Sequence, residues 1–158
     1  TWKEGDCLTL ELPMDVAVSR WYDGGAVVER GPLLYALKMQ EKWEKKSFEA
    51  NKVVTYGPWY YEVTSDTPWN YALSESSFAP ERIEKRPSVT GYPWNVENAP
   101  ISIKTQAKRV KNWTLVRGSA GPVAYYTQME NDTEGEETIE LIPYGCTTLR
   151  IAEFPVRR

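Results

Sequence analysis

The sequence predicts an all-β chain: an antiparallel β-sandwich, jelly-roll-like, with little helix. Three observations carry this. Short runs of period-two apolar alternation recur, as in Leu8/Leu10/Leu12 and Ile101/Ile103/Thr105. Turns rich in Gly, Pro and Asn separate them, and no segment sustains a helical period of 3.6. A chain of 158 residues, 41% hydrophobic and 26% charged, fits one soluble domain and buries roughly two-thirds of its unfolded surface.

Taken in order, Leu8, Leu10 and Leu12 alternate with Thr9 and Glu11, which predicts a half-buried strand. Pro13 interrupts, and Met14, Val16 and Val18 resume the alternation. Asp23-Gly24-Gly25 is a turn. Val27 and Val28 lead into Glu29-Arg30, and Gly31-Pro32 makes a corner before the apolar run Leu33–Leu37. Gly31 permits a kink that a side chain resists, and Pro32 brings no N–H to a ladder. The charged residues 38–52 read as a solvated connection. Val53-Val54-Thr55 reads as a brief strand, and Gly57-Pro58 turns into the strand Trp59–Thr64.

Asp66 to Leu73 reads as irregular backbone anchored by Trp69 and Tyr71, because Pro68 and Asn70 interrupt it. Glu81 to Arg86 reads as a polar-edged strand around Ile83. Residues 87–100 are a long loop carrying Tyr92 and Trp94. The strand at Ile101 extends through Ala107 and Val110 towards Trp113 and Leu115, and Gly118 to Pro122 is a loop. The acidic stretch Glu130 to Glu137 reads as a mobile hairpin or connection. Thr138–Ile142 and Thr148–Phe154 are the last two strands, with Pro143-Tyr144-Gly145 between them.

The formal net charge of −3 argues against nucleic acid and anionic membrane surfaces as partners. No apolar run approaches the ~20 residues that span a bilayer. No basic-then-apolar leader is visible, and Thr1-Trp2-Lys3 opens in mid-pattern, as a fragment or processed product would. Cys7 and Cys146 make neither a metal-ligand spacing nor a disulfide framework, and histidine is absent. That removes the commonest general base and the commonest metal ligand. Among the acids, only Glu62 and Glu153 have apolar neighbours on both sides, and pairing with Lys or Arg accounts for either better than catalysis does. No nucleophile elbow and no phosphate-binding glycine loop occur.

The aromatics remain, with seven Trp and ten Tyr against three Phe. Trp59, Tyr60, Trp69, Tyr71, Tyr92 and Trp94 are the candidate site residues, for docking a domain or for carbohydrate. Pro68-Trp69-Asn70-Tyr71 and Tyr92-Pro93-Trp94-Asn95 have similar make-up, with Pro beside Trp and Asn after it. Indole and phenol rings suit surfaces that are apolar but wet.

An ordered set of motifs adds a resemblance. Arg30-Gly31-Pro32-Leu33-Leu34-Tyr35, then Pro68-Trp69-Asn70-Tyr71-Ala72-Leu73, then Leu141-Ile142-Pro143-Tyr144-Gly145-Cys146-Thr147-Thr148-Leu149-Arg150-Ile151, closing on Phe154-Pro155, resembles the C-terminal sandwich region of the bacterial β-L-arabinofuranosidase family, glycoside hydrolase family 127 and its relatives. Trp2-Lys3-Glu4-Gly5-Asp6 and Pro13-Met14 fit the same order. The resemblance implies that residues 1–20 are strands at the junction with a preceding sandwich domain and that 21–158 form the C-terminal sandwich. It implies a parent enzyme whose catalysis sits on an (α/α)-barrel with a cysteine- and glutamate-held zinc. None of those catalytic or metal residues matches a position in this chain. The expectation is a non-catalytic accessory domain, without a cofactor of its own, whose partners are the barrel and the neighbouring sandwich of an extracytoplasmic enzyme. The alternatives are a carbohydrate-binding module that holds an arabinose-containing oligosaccharide and, less favoured, an independent glycosidase domain.

With two cysteines and no histidine, a closed tetrahedral N/S zinc site cannot be furnished. Metal analysis should find less than stoichiometric zinc, and chelator should leave the melting temperature unchanged.

Overall fold

In the computed structural model, which describes residues 1–21, 24–48, 57–74, 82–85, 90–123 and 133–157, three consecutive antiparallel strands come first. These are β1 (Val16–Arg20), β2 (Ala26–Arg30) and β3 (Leu33–Leu37). Gly31, at φ +56°, makes the corner between β2 and β3, and Met14 packs against it where a side chain would stand. β4 (Lys42–Ser47) and β5 (Trp59–Thr64) pair, among the described residues, only with each other. β6 (Tyr71–Ser74), β7 (Arg82–Lys85) and the ten-residue β8 (Ile101–Val110) follow, both shorter strands pairing β8. β9 (Leu115–Val116) and β10 (Ser119–Ala120) form a small hairpin. The eleven-residue β11 (Thr133–Pro143) leads through a 3-10 turn, Tyr144–Cys146, to β12 (Glu153–Phe154) and β13 (Val156–Arg157).

The strands make an all-β, sandwich-like pair of curled antiparallel layers that share β3. Leu33 and Leu34 pair with β2, and Tyr35 to Leu37 pair with β11. The chain crosses again at Pro155. Phe154 pairs with Ala26 of β2, and Val156 pairs in parallel with Leu73 of β6. Inward residues of both layers meet in one core: Val28 and Phe154 against Leu37, Leu73, Ile103, Ile139, Leu141 and Val156. The second layer is apolar on its outer face as well. There Ala72 and Val110 lie under Trp69 and Trp113, and Ile142 lies under Val96, Ala99 and Cys146. Between β1 and the β6/β13 edge the layers leave a cleft of about 300 Å³, lined by Val16, Val18, Leu73 and Val156.

Several expectations are corrected. Leu8, Leu10 and Leu12 form no strand and stand 72–75% exposed on an extended arm. Alternation marks a strand only where a sheet is present to receive it. The charged stretch after Leu37 contains β4, because the high β-propensity of Trp59–Thr64 gives it a ladder partner. Tyr71 belongs to a buried strand rather than to irregular backbone. Part of the expected Gly118–Pro122 loop is β10. The described part of the acidic stretch opens β11, with a register shift between Thr133 and Glu136. Its carboxylates face basic residues of β8, Lys108 to Glu136 at 3.8 Å and Arg109 to Glu134 at 3.7 Å, so a run unpromising by itself is neutralised across the ladder. Of the expected strand Thr148–Phe154, only Glu153–Phe154 pairs as one. Of the expected turn Asp23-Gly24-Gly25, Gly24 stands at φ +82° and the Gly25 carbonyl accepts from the Trp21 N–H at 3.0 Å between β1 and β2, while Asp23 and the strand Val53–Thr55 lie outside the described residues.

Phe154 is fully buried where the layers join. Phe154→Ala should lower the unfolding free energy by about 3–5 kcal/mol in urea titration. Leu10→Ala, on the exposed arm, should change it by less than about 0.5 kcal/mol.

Candidate functional site

The β4–β5 hairpin divides its residues by strand alternation. One face carries Trp43 and Lys45 opposite Val63 and Tyr61, with Trp59 opposite Ser47. Tyr61 meets Trp43 at 5.7 Å and Trp59 at 5.4 Å between ring centroids, both edge to face. The Lys45 ammonium sits 4.2 Å from the Trp59 ring centroid. All three rings are about half exposed. On the other face Glu44 lies opposite Glu62, a like-charge pair. Lys46 bridges them, at 2.8 Å from Glu44 and 3.6 Å from Glu62. The Lys46 ammonium is held above its ordinary pKa, chiefly by the hydrogen bond to Glu44. Lys42 pairs with Asp66 near the hairpin's base.

Glu41, one residue before β4, ties this hairpin to the segment after the 3-10 turn. Its Oε1 accepts from the Thr147 hydroxyl and from the backbone N–H of Thr148 and Leu149, and its Oε2 accepts from the Trp43 indole N–H at 3.2 Å. Burial by itself would raise the Glu41 pKa, but the two amides, the hydroxyl and the indole outweigh it and hold the carboxyl below its ordinary value.

Above this tie opens a cavity of about 320 Å³, lined by Glu41, Trp43, Trp94, Glu97, Thr148 and Arg150 among others. The Trp94 ring lies over Gly145, and Cys146 Sγ donates to the Pro93 carbonyl beneath it. Asn95 shapes the loop: its amide donates to the Tyr92 carbonyl, and its oxygen accepts from the Asn98 N–H at 2.7 Å. Arg150 is held by its Nε–H on the Thr147 carbonyl at 2.9 Å, and its guanidinium stacks 4.7 Å from the Tyr144 ring centroid. A second, more apolar cavity of about 600 Å³ is lined by Met39, Trp69, Leu115, Leu149 and Ile151.

The six candidate aromatics therefore fall into different environments. Trp59 joins the exposed hairpin face; Tyr60 lies on the opposite face, against Phe48 at 4.6 Å, and donates to Glu62. Trp69 packs edge to face on Trp113 at 4.9 Å, and the Trp113 indole donates to the Gly121 carbonyl. Tyr71 is 4% exposed, with its pKa pushed up to about 12 by burial and by the hydrogen-bonded Glu137, against Arg109. The likeness of the two Pro–Trp–Asn loops ends here: Tyr92 and Trp94 are 68% and 42% exposed. Trp43, Tyr61, Glu41 and Arg150, absent from the sequence-derived candidates, complete the two surfaces. Only the 3.6-free alternation of Trp43, Lys45 and Ser47 could have signalled the first. Glu62 is engaged by Lys46 and Tyr60, in keeping with a structural role. Among the described residues, no group of three or more His, Cys, Asp and Glu converges as a metal site would.

No family model, no curated protein and no solved structure matches the chain.

Because the folded-state pKa of Glu41 is depressed, its contribution to stability is present above the unfolded value near 4.5 and is lost as pH falls through the folded value. Glu41→Gln should cost roughly 1–2 kcal/mol at pH 7, after allowing for solvent screening. The gap between wild type and variant should shrink as denaturant melts are taken below that pH.

Proposed function

We propose that this chain is a non-catalytic accessory β-sandwich domain of a bacterial, extracytoplasmic glycoside hydrolase of the β-L-arabinofuranosidase type, docked against its catalytic barrel and a neighbouring sandwich. The ordered motifs from Arg30 to Pro155 support the parent class. The observation that carries docking is the Trp43–Tyr61–Trp59 face of the β4–β5 hairpin. It is contiguous, aromatic and exposed, on a hairpin that among the described residues pairs with nothing but itself. Its rings meet edge to face, and Lys45 covers one face of Trp59. Such an uneven surface suits a complementary protein wall better than the flat stacking a sugar chain needs. Leu8, Leu10 and Leu12 add a second apolar surface, on an arm that a neighbouring sheet edge would cover.

The burial of Tyr71 and the packing of the half-buried Trp69 on Trp113 decide how docking is tested, since truncating either would destabilise the domain by itself. Trp43 and Trp59 are the informative positions. Trp59→Ala should cost the isolated domain about 1 kcal/mol through the lost Tyr61 and Lys45 contacts, and should lower the melting temperature of the full-length enzyme by several degrees more than that loss accounts for. The isolated domain should release nothing from aryl L-arabinofuranosides above a protein-free blank. An intact enzyme indifferent to both Trp43→Ala and Trp59→Ala would overturn docking through this face. Turnover by the isolated domain, abolished by Glu62→Gln or Glu153→Gln, would overturn the accessory role.

A further inference from the structure

We propose that the cavity between the β4 root and the Trp94 loop is a binding site for one neutral sugar ring. It lies at the small end of the roughly 300–1,000 Å³ range of small-molecule sites, at about 320 Å³. That is room for a single ring and not for a chain. Two indoles line it, Trp43 from the hairpin and Trp94 from the loop, both partly exposed. Around them stand a guanidinium, a threonine hydroxyl and two carboxylates: Arg150, Thr148, Glu41 and Glu97. The ligand that matches has an apolar face for an indole and hydroxyls around its edge for donors and acceptors alike. A sugar ring has that distribution.

The polar groups are held in place before any ligand arrives. Arg150 is fixed by the Thr147 carbonyl and the Tyr144 ring. Glu41 is fixed by the amides of Thr148 and Leu149. The Trp94 loop is fixed by the two hydrogen bonds of Asn95. Little freedom is left to lose, which is what lets a small polar ligand bind at all. The charges disfavour an acidic sugar: two carboxylates stand against one guanidinium. The site shares Trp43 with the hairpin face, but Tyr61 and Trp59 do not line it.

The test is titration of the ¹⁵N-labelled chain with L-arabinose, D-xylose and D-galactose, with D-glucuronate and adenosine as competitors of other chemistry. At least one neutral sugar should bind with an affinity on the order of millimolar. It should shift the indole N–H signals of Trp43 and Trp94 and the amides of Gly145 and Thr148. Trp94→Ala should weaken binding by about tenfold or more. Arg150→Lys keeps the charge but loses the planar fork, and should weaken binding similarly; it decides the matter if Trp94→Ala fails to fold. Trp59→Ala should leave the affinity unchanged. The proposal fails if no neutral sugar shifts these signals up to about 100 mM. It fails equally if Arg150→Lys binds as wild type does, or if glucuronate or adenosine binds more tightly than every neutral sugar. A Trp59→Ala variant that loses sugar binding would move the site to the hairpin face and overturn this location.

Discussion

The need to close two curled layers on one core governs this structure. A sheet buried on one face must find a second sheet, and the chain must cross between them without leaving polar backbone stranded. It does so at β3 and at Pro155. At β3 the ladder changes partner after Leu34, so no residue of the strand goes without a neighbour. At Pro155 the missing N–H coincides with the step between sheets, while its carbonyl accepts from the Leu73 N–H at 2.9 Å. Phe154 and Val156, on either side, both enter the core. The proline therefore sits where a ladder donor is not required.

The functional surfaces hang on that frame through a small number of polar ties. A two-stranded hairpin is marginal by itself. The β4–β5 hairpin gains from its aromatic contacts on one face and from Lys46 between two carboxylates on the other. Glu41 then joins its root to the segment 147–149, more than a hundred residues away in sequence. The same carboxylate orients Trp43 and shapes the cavity floor. Glu41 thus contributes both to the stability of the hairpin and to the geometry of the cavity, and the hydrogen bonds it accepts hold its carboxyl below its ordinary pKa.

Much of the frame was legible in the sequence. Gly31-Pro32 announced a corner because only one residue type tolerates that φ cheaply and the other cannot donate. The alternation from Ile101 gave β8, since Ile101, Ile103 and Ala107 are buried at every second position with the fully buried Thr105 between them. What could not be read depends on partners distant in sequence. Glu134, Glu136 and Glu137 look like a solvated turn until Lys108 and Arg109 are placed opposite them. Lys42 to Ser47 look like a connection until Trp59 to Thr64 lie alongside. The leucines of the arm show the reverse error, a strand pattern with no strand beside it. For the site, Trp94 and Trp69 were indistinguishable, because matching Pro–Trp–Asn triplets say nothing about which loop is roofed by Trp113. Glu41 and Arg150 gave no signal at all, as their roles exist only once the hairpin meets the 144–150 segment.

The two surfaces also differ in what water does to them. On the hairpin face, Trp43, Tyr61 and Trp59 meet one another by ring contact, Lys45 lies on the Trp59 ring, and the Trp43 indole N–H is taken by Glu41. Covering that face with a protein wall removes apolar area from water at about 25 cal/mol per Å² and strands few polar groups. In the cavity, charged groups line the wall, so an apolar occupant would strip water from them at a cost of about 1–3 kcal/mol each. A large apolar partner is therefore excluded from the cavity by the same chemistry that favours it on the hairpin. A polyol is favoured in the cavity because it replaces the hydrogen bonds it displaces. Adjacent aromatic surfaces, sharing Trp43, are sorted to different partners by the polar groups beside the rings rather than by the rings themselves.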